Sequence, residues 1–338
     1  MDPNHGGIEA PFILGIVERA ILRVPRSSHH GLTKVPTATR IAGRTYLDLA
    51  RLENIDARQL PEVVLAARLC HLAHTHRAMV IIGQCALWAH GDPSDPPLPP
   101  ITVASSSPSA PIRLPAVTVG SHRFPSVTIK PRHVCRLPSA ENVGDLFLET
   151  PQSAQVTIAR TSPNPRSAFV QLCMIGHEFT HFDNFHLTNS RLNEKYWKTL
   201  LRAQLAGLGK SARGRAQARW MITHADAGCA SPGEARVLYE LRAAGLTGIR
   251  TQVEVHTRGR RYFIDCAFPA EKVGIEFDGR AKYGDDAPSI HSSLARERER
   301  QRRLEAEGWH IIRVGWHDLD HPGELIAQIR AALTARVG

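Results

Sequence analysis

The chain has few cysteines, and they do not form motifs. It contains six in 338 residues, and no two of them stand in a CxxC arrangement. An even number of cysteines fits disulfides poorly in a chain this long, and the spacing of a four-ligand zinc site is absent. We therefore expect reduced thiols. The cysteines are Cys70, Cys85, Cys135, Cys173, Cys229 and Cys266.

Long apolar runs are also missing from the sequence. Residues 1–7 are polar and lack the basic start and the apolar stretch of a secretory signal. No uninterrupted apolar run is long enough to span a membrane. We expect a cytoplasmic protein without a membrane partner.

Acidic residues are fewer than basic ones. The chain has 42 Lys and Arg against 32 Asp and Glu, which gives a net charge of +10. Such a balance favours a polyanionic partner, with nucleic acid ahead of a membrane surface. The alternative is charge that serves only solubility, and composition does not separate the two.

Length and patterning predict an α/β (α+β) protein with more than one domain. At 338 residues, of which 42% are apolar, the chain can bury a sizeable core and form two or three domains. We predict an N-terminal arm over 1–36, an α/β or mostly β region over 37–160, a helical connector over 161–225 and a C-terminal domain over 226–338.

The N-terminal half mixes helical and strand patterns. Helical spacing predicts helices within 8–24, over 45–52 and over 60–72. Residues 79–88 predict a buried strand that passes through Gly83 into a short helix. The proline-rich segment 92–115 and the short β-like runs around it predict loops and irregular sheet edges.

The C-terminal half has clearer patterns. Residues 168–185 and 192–205 are helical, and Ser231, followed by proline and then Glu234, predicts the start of another helix. Strands follow over 251–256, 262–267 and 273–277. An arginine-rich helix, a strand over 309–314 and a last helix from Pro322 complete the predicted order α-β-β-β-α-β-α.

Two of these strands each carry a carboxylate near their end, at Asp265 and at Glu276. Acids at the ends of neighbouring strands can share one ion, and Mg²⁺ takes one or two protein carboxylates while keeping waters that it activates. The pattern therefore predicts a site for Mg²⁺ or Mn²⁺. The alternative is that each acid pairs with a nearby arginine.

The segment from Ser231 to Leu319 resembles the Vsr-like (very-short-patch-repair-like) domains of the PD-(D/E)XK nuclease superfamily. The resemblance implies a mixed central sheet flanked by helices and an endonuclease activity. The matching residues are the Ser231-Pro-Gly-Glu234 helix start, Gln252, Asp265, the run 276–283, Glu297, Arg300 and the run 308–319.

The resemblance also implies roles for individual residues. Asp265 and Glu276 would be metal ligands, Glu234 a helix carboxylate near the metal, and Gln252 an auxiliary polar group. Asp278 stands where the superfamily has its catalytic lysine, and Lys282 is a substitute from nearby in sequence. Folds of this superfamily can lose activity and persist as DNA-binding modules, so we consider both outcomes.

The run 296–303 places Arg296, Arg300 and Arg303 on one face of a helix, which suits a phosphate backbone. We predict that these residues and Arg280 bind DNA. The alternative is a solvated helix in which the intervening glutamates pair with the arginines three or four residues along.

A second possible metal site is the sequence His177-Glu178-Phe-Thr-His181. On a helix, residues i and i+4 share one face, so the two imidazoles could bind Zn²⁺ with Glu178 as general base. Glu194 or His186 could be a third ligand, but neither stands in a metzincin arrangement, because no glycine and third histidine follow at the required spacing. A zinc hydrolase is therefore our third hypothesis.

The N-terminal half contains a run, 80–91, that resembles a segment of AbiEi-type antitoxin-like proteins. Cys85 stands where that segment usually has serine. The resemblance implies an antitoxin-like region and a toxin or other defence partner. Together the two halves predict a DNA-acting protein, with a Mg²⁺-dependent endonuclease as the first hypothesis and a DNA-binding, antitoxin-like or regulatory protein as the second.

Overall fold

The computed structural model describes residues 10–24, 37–52, 55–92, 98–279 and 298–337. The predicted α/β class is confirmed, since helices accompany sheets that contain both parallel and antiparallel pairs. The chain divides into two compact units, Met1–Ile158 and Ala159–Gly338, which we call unit 1 and unit 2. Among the described residues, no helix combines the length and apolar character that crossing a membrane requires.

Unit 1 contains short strands and a few helices. The helices are α1 (Ala10–Ala20), α2 (Leu60–Thr75), α3 (Gln84–Ala89) and α4, which begins in this unit (Pro151–Thr161). The strands are β1 (Ile21–Arg23), β2 (Ala38–Ala42), β3 (Thr45–Asp48), β4 (Val80–Ile81), β5 (Val103–Ser105), β6 (Ile112–Leu114), β7 (Val117–Val119), β8 (His122–Phe124), β9 (Val127–Ile129), β10 (Arg132–His133), β11 (Ala140–Val143) and β12 (Leu146–Glu149).

These strands form two larger sheets and two hairpins. The three-stranded sheet has the order β1-β3-β2, and the five-stranded sheet has the order β10-β5-β4-β12-β11. In the larger sheet, β10 and β5 are parallel, as are β12 and β4, and the other pairs are antiparallel. Strands β6 and β9 pair with each other, and so do β7 and β8.

Residues 10–24 differ from the loosely held arm that we predicted. Helix α1 buries Ile13, Val17 and Ala20 completely, at a spacing that puts them on one face. Residues 21–23 then leave the helix and pair with β3. Within the described residues, the helix that we predicted in 8–24 is therefore shorter, because residues 21–23 join a sheet.

The predicted helix over 45–52 is wrong. Thr45–Asp48 is the central strand of the three-stranded sheet, and Leu49–Arg51 is a single 3-10 turn. Asp48 begins that turn by accepting a hydrogen bond from the backbone nitrogen of Ala50 at 3.2 Å. Pairing with a strand on each side decided the conformation, which a short helical spacing cannot reveal.

The strand-to-helix passage at Gly83 is confirmed and has a buried carboxylate beneath it. Gly83 has a φ of 65° between β4 and α3, a conformation that favours glycine. Glu149 is fully buried and accepts hydrogen bonds from the nitrogen of Gly83 at 2.9 Å, from Ser153 at 2.7 Å and from Thr157 at 2.6 Å. These bonds fix the passage to the end of β12 and the start of α4.

The cysteines are free, and all except Cys135 are buried. Burial raises the pKa of Cys70 to about 12, and it does the same for Cys85. Burial also raises the pKa of Cys266 well above its ordinary value. These three thiols are therefore protonated at neutral pH.

Unit 2 contains longer elements. Its helices after α4 are α5 (Pro165–Thr180), α6 (Leu187–Gly207), α7 (Arg215–His224), α8 (Pro232–Ala243), α9 (described over 298–306), α10 (Trp316–Asp320) and α11 (Pro322–Val337). Its strands are β13 (Arg250–Thr257), β14 (Arg260–Phe268), β15 (Val273–Phe277) and β16 (His310–Val314). The predicted order α-β-β-β-α-β-α is confirmed from α8 onward, with α10 as an addition.

The four strands of unit 2 form one mixed sheet in the order β13-β14-β15-β16. The first two pairs are antiparallel, and β15 and β16 are parallel. Leu304 of α9 packs on this sheet with Val255, Ile264, Ala267 and Trp309. The sheet is therefore held by an apolar cluster to which α9 contributes.

Helix α8 lies very close to β15. Its start is the predicted one, since Ser231 accepts a hydrogen bond from the nitrogen of Glu234 at 3.3 Å and Pro232 occupies the first turn. A Cβ atom added to Gly233 would lie 2.0 Å from the ring of Phe277. Only glycine permits this approach, which brings Glu234 next to the sheet.

The helices within 161–225, which we predicted to be a connector, are part of unit 2. Phe169 of α5 and Trp197 of α6 are completely buried. Phe169 contacts Tyr239 of α8 edge to face, with ring centroids 5.4 Å apart, and Arg166 pairs with Glu240 of α8 at 2.8 Å. These helices therefore pack on the helix that carries Glu234.

Candidate functional site

Three of the predicted site residues lie side by side across the sheet of unit 2. The pairs Thr251–Cys266 and Val253–Ile264 place Gln252 of β13 opposite Asp265 of β14. The pair Cys266–Ile275 places Asp265 opposite Glu276 of β15 at the next position, and Glu276 pairs with Arg313 of β16. We call Gln252, Asp265, Glu276 and Arg313 the polar row. Opposite residues of paired strands point to the same face.

Asp265 is half-buried within the row. Its Oδ2 accepts a hydrogen bond from the backbone nitrogen of Phe277 at 2.9 Å. This bond ties the carboxylate of β14 to the residue that follows Glu276, so the spacing between the two acids is set by the sheet.

Glu276 is almost completely buried, with 5% of its surface exposed, and it faces two guanidinium groups. Arg300 of α9 approaches both carboxylate oxygens, at 2.8 Å to Oε2 and 2.7 Å to Oε1, and Arg313 lies 3.8 Å from Oε2. Arg300 also donates to the carbonyl oxygen of Phe263 at 2.6 Å. The contact to Oε2 is a charge-assisted hydrogen bond, and the contact to Oε1 is an ion pair without hydrogen-bond geometry.

Arg300 therefore does not extend outward from its helix as we predicted for DNA binding. Its guanidinium turns inward and neutralises the charge of Glu276. Arg303, the other described residue of the predicted basic face, pairs with Glu299 at 2.7 Å, which is the alternative of a self-paired helix. Arg280, Lys282 and Arg296 lie outside the described residues.

Glu234 is joined to the polar row through Gln252. Its Oε2 accepts hydrogen bonds from the backbone nitrogen of Ala230 at 2.9 Å and from Gln252 at 3.3 Å, and its Oε1 accepts one from Ser231 at 2.8 Å. Gln252 in turn accepts a hydrogen bond from the side chain of Asn184 at 2.8 Å. In this chain of hydrogen bonds, Asn184 donates to Gln252 and Gln252 donates to Glu234, so the orientation of both amides is fixed.

Gln252 has a left-handed backbone conformation inside a strand, with a φ of 49°. Such a conformation is rare for a residue with a side chain and is kept only where the surroundings enforce it. Gln252 is 4% exposed, and both ends of its amide are hydrogen-bonded. The strained position is thus fixed by the same bonds that orient the side chain toward Glu234.

A buried ion-pair network supports the strand beside Gln252. Arg191 of α6 donates to the carbonyl oxygen of Thr251 at 2.8 Å and to its hydroxyl at 2.7 Å, and it pairs with Asp226 at 2.7 Å and Glu194 at 2.6 Å. Burial favours a raised pKa for Asp226, but the charge of Arg191, the hydrogen bonds from Thr251 and Arg191 and the charge of Lys198 together outweigh burial and lower that pKa. Asp226 is therefore ionised at neutral pH.

Four of the predicted residues line one cleft of 350 Å³ in unit 2. They are Glu234, Gln252, Asp265 and Arg300. Glu276 is not part of the cleft wall and lies behind Arg300. The remaining wall is formed by Asn184, Phe185, Ala230, Arg261, Tyr262 and Phe263.

Sequence reasoning missed Asn184, Phe185, Arg191 and Asp226. They lie between 25 and 78 residues before the strand positions that they contact. We found no signal in the sequence that links them to the site, because they precede the predicted domain and belong to the supposed connector. Their contribution is visible only from the packing of α5 and α6 within unit 2.

Asp278 follows the polar row without joining it. Its backbone nitrogen donates to the carbonyl oxygen of Val314 at 2.9 Å, which extends the pairing of β15 with β16 by one step. Its side chain is half-buried. Asp278 is therefore an acid at the end of the same sheet.

The oxygen donors of the polar row fit a divalent cation, provided that Arg300 leaves its place beside Glu276. Asp265 and Glu276 offer hard oxygen ligands from adjacent strands, and Mg²⁺ needs only one or two of these. The guanidinium of Arg300 neutralises Glu276 in the place that a cation would take. A cation bound by both acids would therefore replace Arg300 beside Glu276. The described residues contain no group of three or more His, Cys, Asp and Glu with the geometry of a metal site.

The premise of the zinc alternative is wrong. Helix α5 ends at Thr180, and His181 follows it in the left-handed conformation with a φ of 47°. His177 and His181 therefore do not share a helical face. The Nδ1 of His177 donates to the carbonyl oxygen of Ala227 at 2.9 Å, and Glu178 is exposed.

Comparison of the chain with protein-family models, with curated proteins and with solved structures finds no match.

Proposed function

We propose that unit 2 acts on DNA and that its cleft hydrolyses phosphodiester bonds with the help of Mg²⁺ or Mn²⁺. The observation that carries this proposal is the placement of Gln252, Asp265 and Glu276 at neighbouring positions of three adjacent strands. The resemblance to Vsr-like domains gives further support, since the order of helices and strands from α8 to β16 agrees with it.

The distribution of charge supports the same conclusion. Glu234 and Asp265 line the cleft, and carboxylates there would repel a phosphate unless a cation lay between them. Arg261 stands in the cleft wall, and the chain before it carries two more exposed arginines, Arg258 in the turn and Arg260 at the start of β14. Acids beside the scissile bond and arginines along the backbone are what metal-assisted phosphodiester hydrolysis requires.

Each residue of the site would have its own role in this reaction. Asp265 and Glu276 would hold the metal ion, which supplies an activated water and stabilises negative charge on the phosphate. Arg300, once displaced from Glu276, stays next to the cleft and can pair with a phosphate oxygen. Glu234 orients Gln252, since its oxygens already accept bonds from Ala230, Ser231 and Gln252 itself.

The test is cleavage of supercoiled plasmid and of mismatched duplex DNA by the full chain in Mg²⁺, in Mn²⁺ and in EDTA. We expect cleavage only with a divalent ion and its loss in Asp265→Asn. The matched control is Asp320→Asn, which removes the same charge from an exposed position of unit 2. Equal cleavage by Asp265→Asn and the control, or no cleavage of any substrate, would refute hydrolysis by this site.

A second function is favoured by a specific observation. The ion pair of Arg300 with Glu276, together with Asp278 in place of a lysine, describes a row in which Glu276 is neutralised without metal. Such a protein would bind DNA through its arginines and not cut it. We then expect salt-sensitive binding without cleavage, with a log affinity that falls by about 0.9 per log unit of salt for each phosphate contact.

Glu276→Gln separates the two functions, with Glu305→Gln, an exposed acid of α9, as its control. Under hydrolysis, Glu276→Gln abolishes cleavage and the control does not. Under binding alone, neither variant weakens binding, since the arginines at the edge of the cleft are unchanged. A toxin partner for the antitoxin-like region of unit 1 stays a prediction.

A further inference from the structure

An exposed aromatic side chain stands at the mouth of the cleft. Phe185 leaves 65% of its surface exposed although it is large and apolar. It lies in the 3-10 turn Asn184–His186, which Asp183 fixes by accepting hydrogen bonds from the nitrogen of Phe185 at 2.8 Å and from the ring of His186 at 2.6 Å. The ring is therefore presented by an ordered turn, on a residue that the fold does not need for its interior.

Phe185 belongs to a cluster of flat groups. Its ring meets Phe263 edge to face, with centroids 5.5 Å apart and planes at 78°. The guanidinium of Arg261 lies 5.6 Å from the centre of Phe185 and 5.5 Å from that of Phe263, and Glu254 pairs with Arg261 from the same sheet. We call Phe185, Phe263 and Arg261 the aromatic platform, and all three residues line the cleft.

The platform has the features of a surface for a nucleobase. Bases stack on exposed aromatic rings and on guanidinium planes, and the positive charge of Arg261 attracts the strand that carries the base. A base paired inside a duplex has both faces covered by its neighbours, so it cannot stack on Phe185. A base in a single strand, a bulge or a distorted site has a free face.

The polar group beside Phe185 suits the edge of such a base. Asn184 donates to Gln252, which donates to Glu234, so this chain fixes the orientation of the Asn184 amide. An amide of fixed direction next to a stacking surface can hydrogen-bond to a base edge.

We propose that the aromatic platform stacks an unpaired nucleobase of the DNA strand that enters the cleft, so that unit 2 prefers single-stranded or locally unpaired DNA to regular duplex. This inference rests on the proposed action on DNA and names its substrate class. Phe185 comes from the turn between α5 and α6. The segment before the sheet of unit 2 thus contributes substrate recognition as well as packing.

The test measures binding without metal, in EDTA, so that cleavage does not interfere. Fluorescence anisotropy compares a single strand, a duplex with one unpaired base and a regular duplex of the same sequence. A 2-aminopurine at the unpaired position reports stacking by loss of its fluorescence. The variants are Phe185→Ala and Phe185→Trp, and the control is Tyr196→Ala, which removes another exposed aromatic residue, 62% exposed, from α6 outside the cleft wall.

We expect Phe185→Ala to weaken binding of the two unpaired substrates about 5- to 160-fold, the range of one base–aromatic stack. It should change duplex binding less than about twofold and abolish the quenching, while Phe185→Trp restores both. Equal effects of Phe185→Ala and Tyr196→Ala, or equal wild-type affinity for duplex and unpaired DNA, would refute the platform but leave DNA binding standing. Absence of wild-type binding to every DNA would refute both proposals.

Discussion

The pairing of Arg300 with Glu276 makes a quantitative prediction about stability and about metal. Glu276 is 5% exposed and receives two contacts of 2.7 and 2.8 Å from Arg300. Removing one partner of a buried pair leaves a poorly compensated charge and costs about 3–5 kcal/mol. We expect Arg300→Met to lose an amount near the lower end of that range, because Arg313 also lies near the carboxylate.

Glu276→Gln should cost less, about 1–2 kcal/mol, since it removes the buried charge itself and leaves an arginine whose side chain is 25% exposed. The double variant should lose less than the sum of the two single variants. The difference, a coupling energy of about 2 kcal/mol, measures the pair itself.

Metal adds a second, independent measurement. A cation that replaces Arg300 beside Glu276 should stabilise Arg300→Met by about 1.4 kcal/mol at ten times its dissociation constant. The same concentration should leave the double variant unchanged, because it has lost the buried carboxylate. Binding of Mn²⁺ can be followed separately by electron paramagnetic resonance.

The assay is urea unfolding of the full chain, followed by tryptophan fluorescence in a Trp88→Phe background. This substitution removes the tryptophan of unit 1 and leaves Trp197, Trp220, Trp309 and Trp316 in unit 2. Separate transitions of two units would otherwise mix in one signal. A coupling energy below about 0.5 kcal/mol would show that Arg300 does not neutralise Glu276 in solution. Equal stabilisation of Arg300→Met and the double variant by metal would refute a cation site at the row.

Three other predictions concern stability. The pKa of Asp226 is lowered on folding. Its contribution to the free energy of unfolding is therefore present above its unfolded pKa of about 3.9 and is lost as pH falls through the folded value. Urea midpoints measured between pH 6 and 2 should fall less steeply for Asp226→Asn than for the wild type. Gly233→Ala should cost about 1–3 kcal/mol by pushing α8 from Phe277, whereas Gly323→Ala, with no atom within 4 Å, should be neutral in the same titration. Glu149→Gln should destabilise unit 1 by about 2–3 kcal/mol, read from the fluorescence of a dye on Cys135, because a buried acceptor of three bonds loses its charge. An unchanged midpoint in any of these variants except the glycine control contradicts the corresponding contact.

The sheet of unit 2 was predictable because its signals are local. The start of α8 follows from Ser231, proline and Glu234 within four residues, and the strands follow from alternating apolar positions. Once three consecutive strands pair as neighbours, their register decides which residues align. The alignment of Asp265 with Glu276 therefore follows from strand patterns that can be read in the sequence.

The details of the site depend on contacts between distant residues, and the sequence contains no signal for these. The inward turn of Arg300 follows from Glu276 and Phe263, which lie 24 and 37 residues earlier. Arg191 reaches Thr251 across 60 residues. In unit 1, Thr45–Asp48 became a strand because it gained a partner on each side, against its helical spacing.

The distribution of thiols has a practical consequence for labelling. Five of the six cysteines are inside the protein, and the exposed one is Cys135. Because thiol reagents attack the thiolate, the buried, protonated thiols react slowly at neutral pH, and a maleimide dye should attach first at Cys135. The natural chain thus accepts one fluorophore in unit 1 without any substitution, while four of its tryptophans lie in unit 2. The dye on Cys135 then reports on unit 1 alone, and most of the tryptophan fluorescence reports on unit 2.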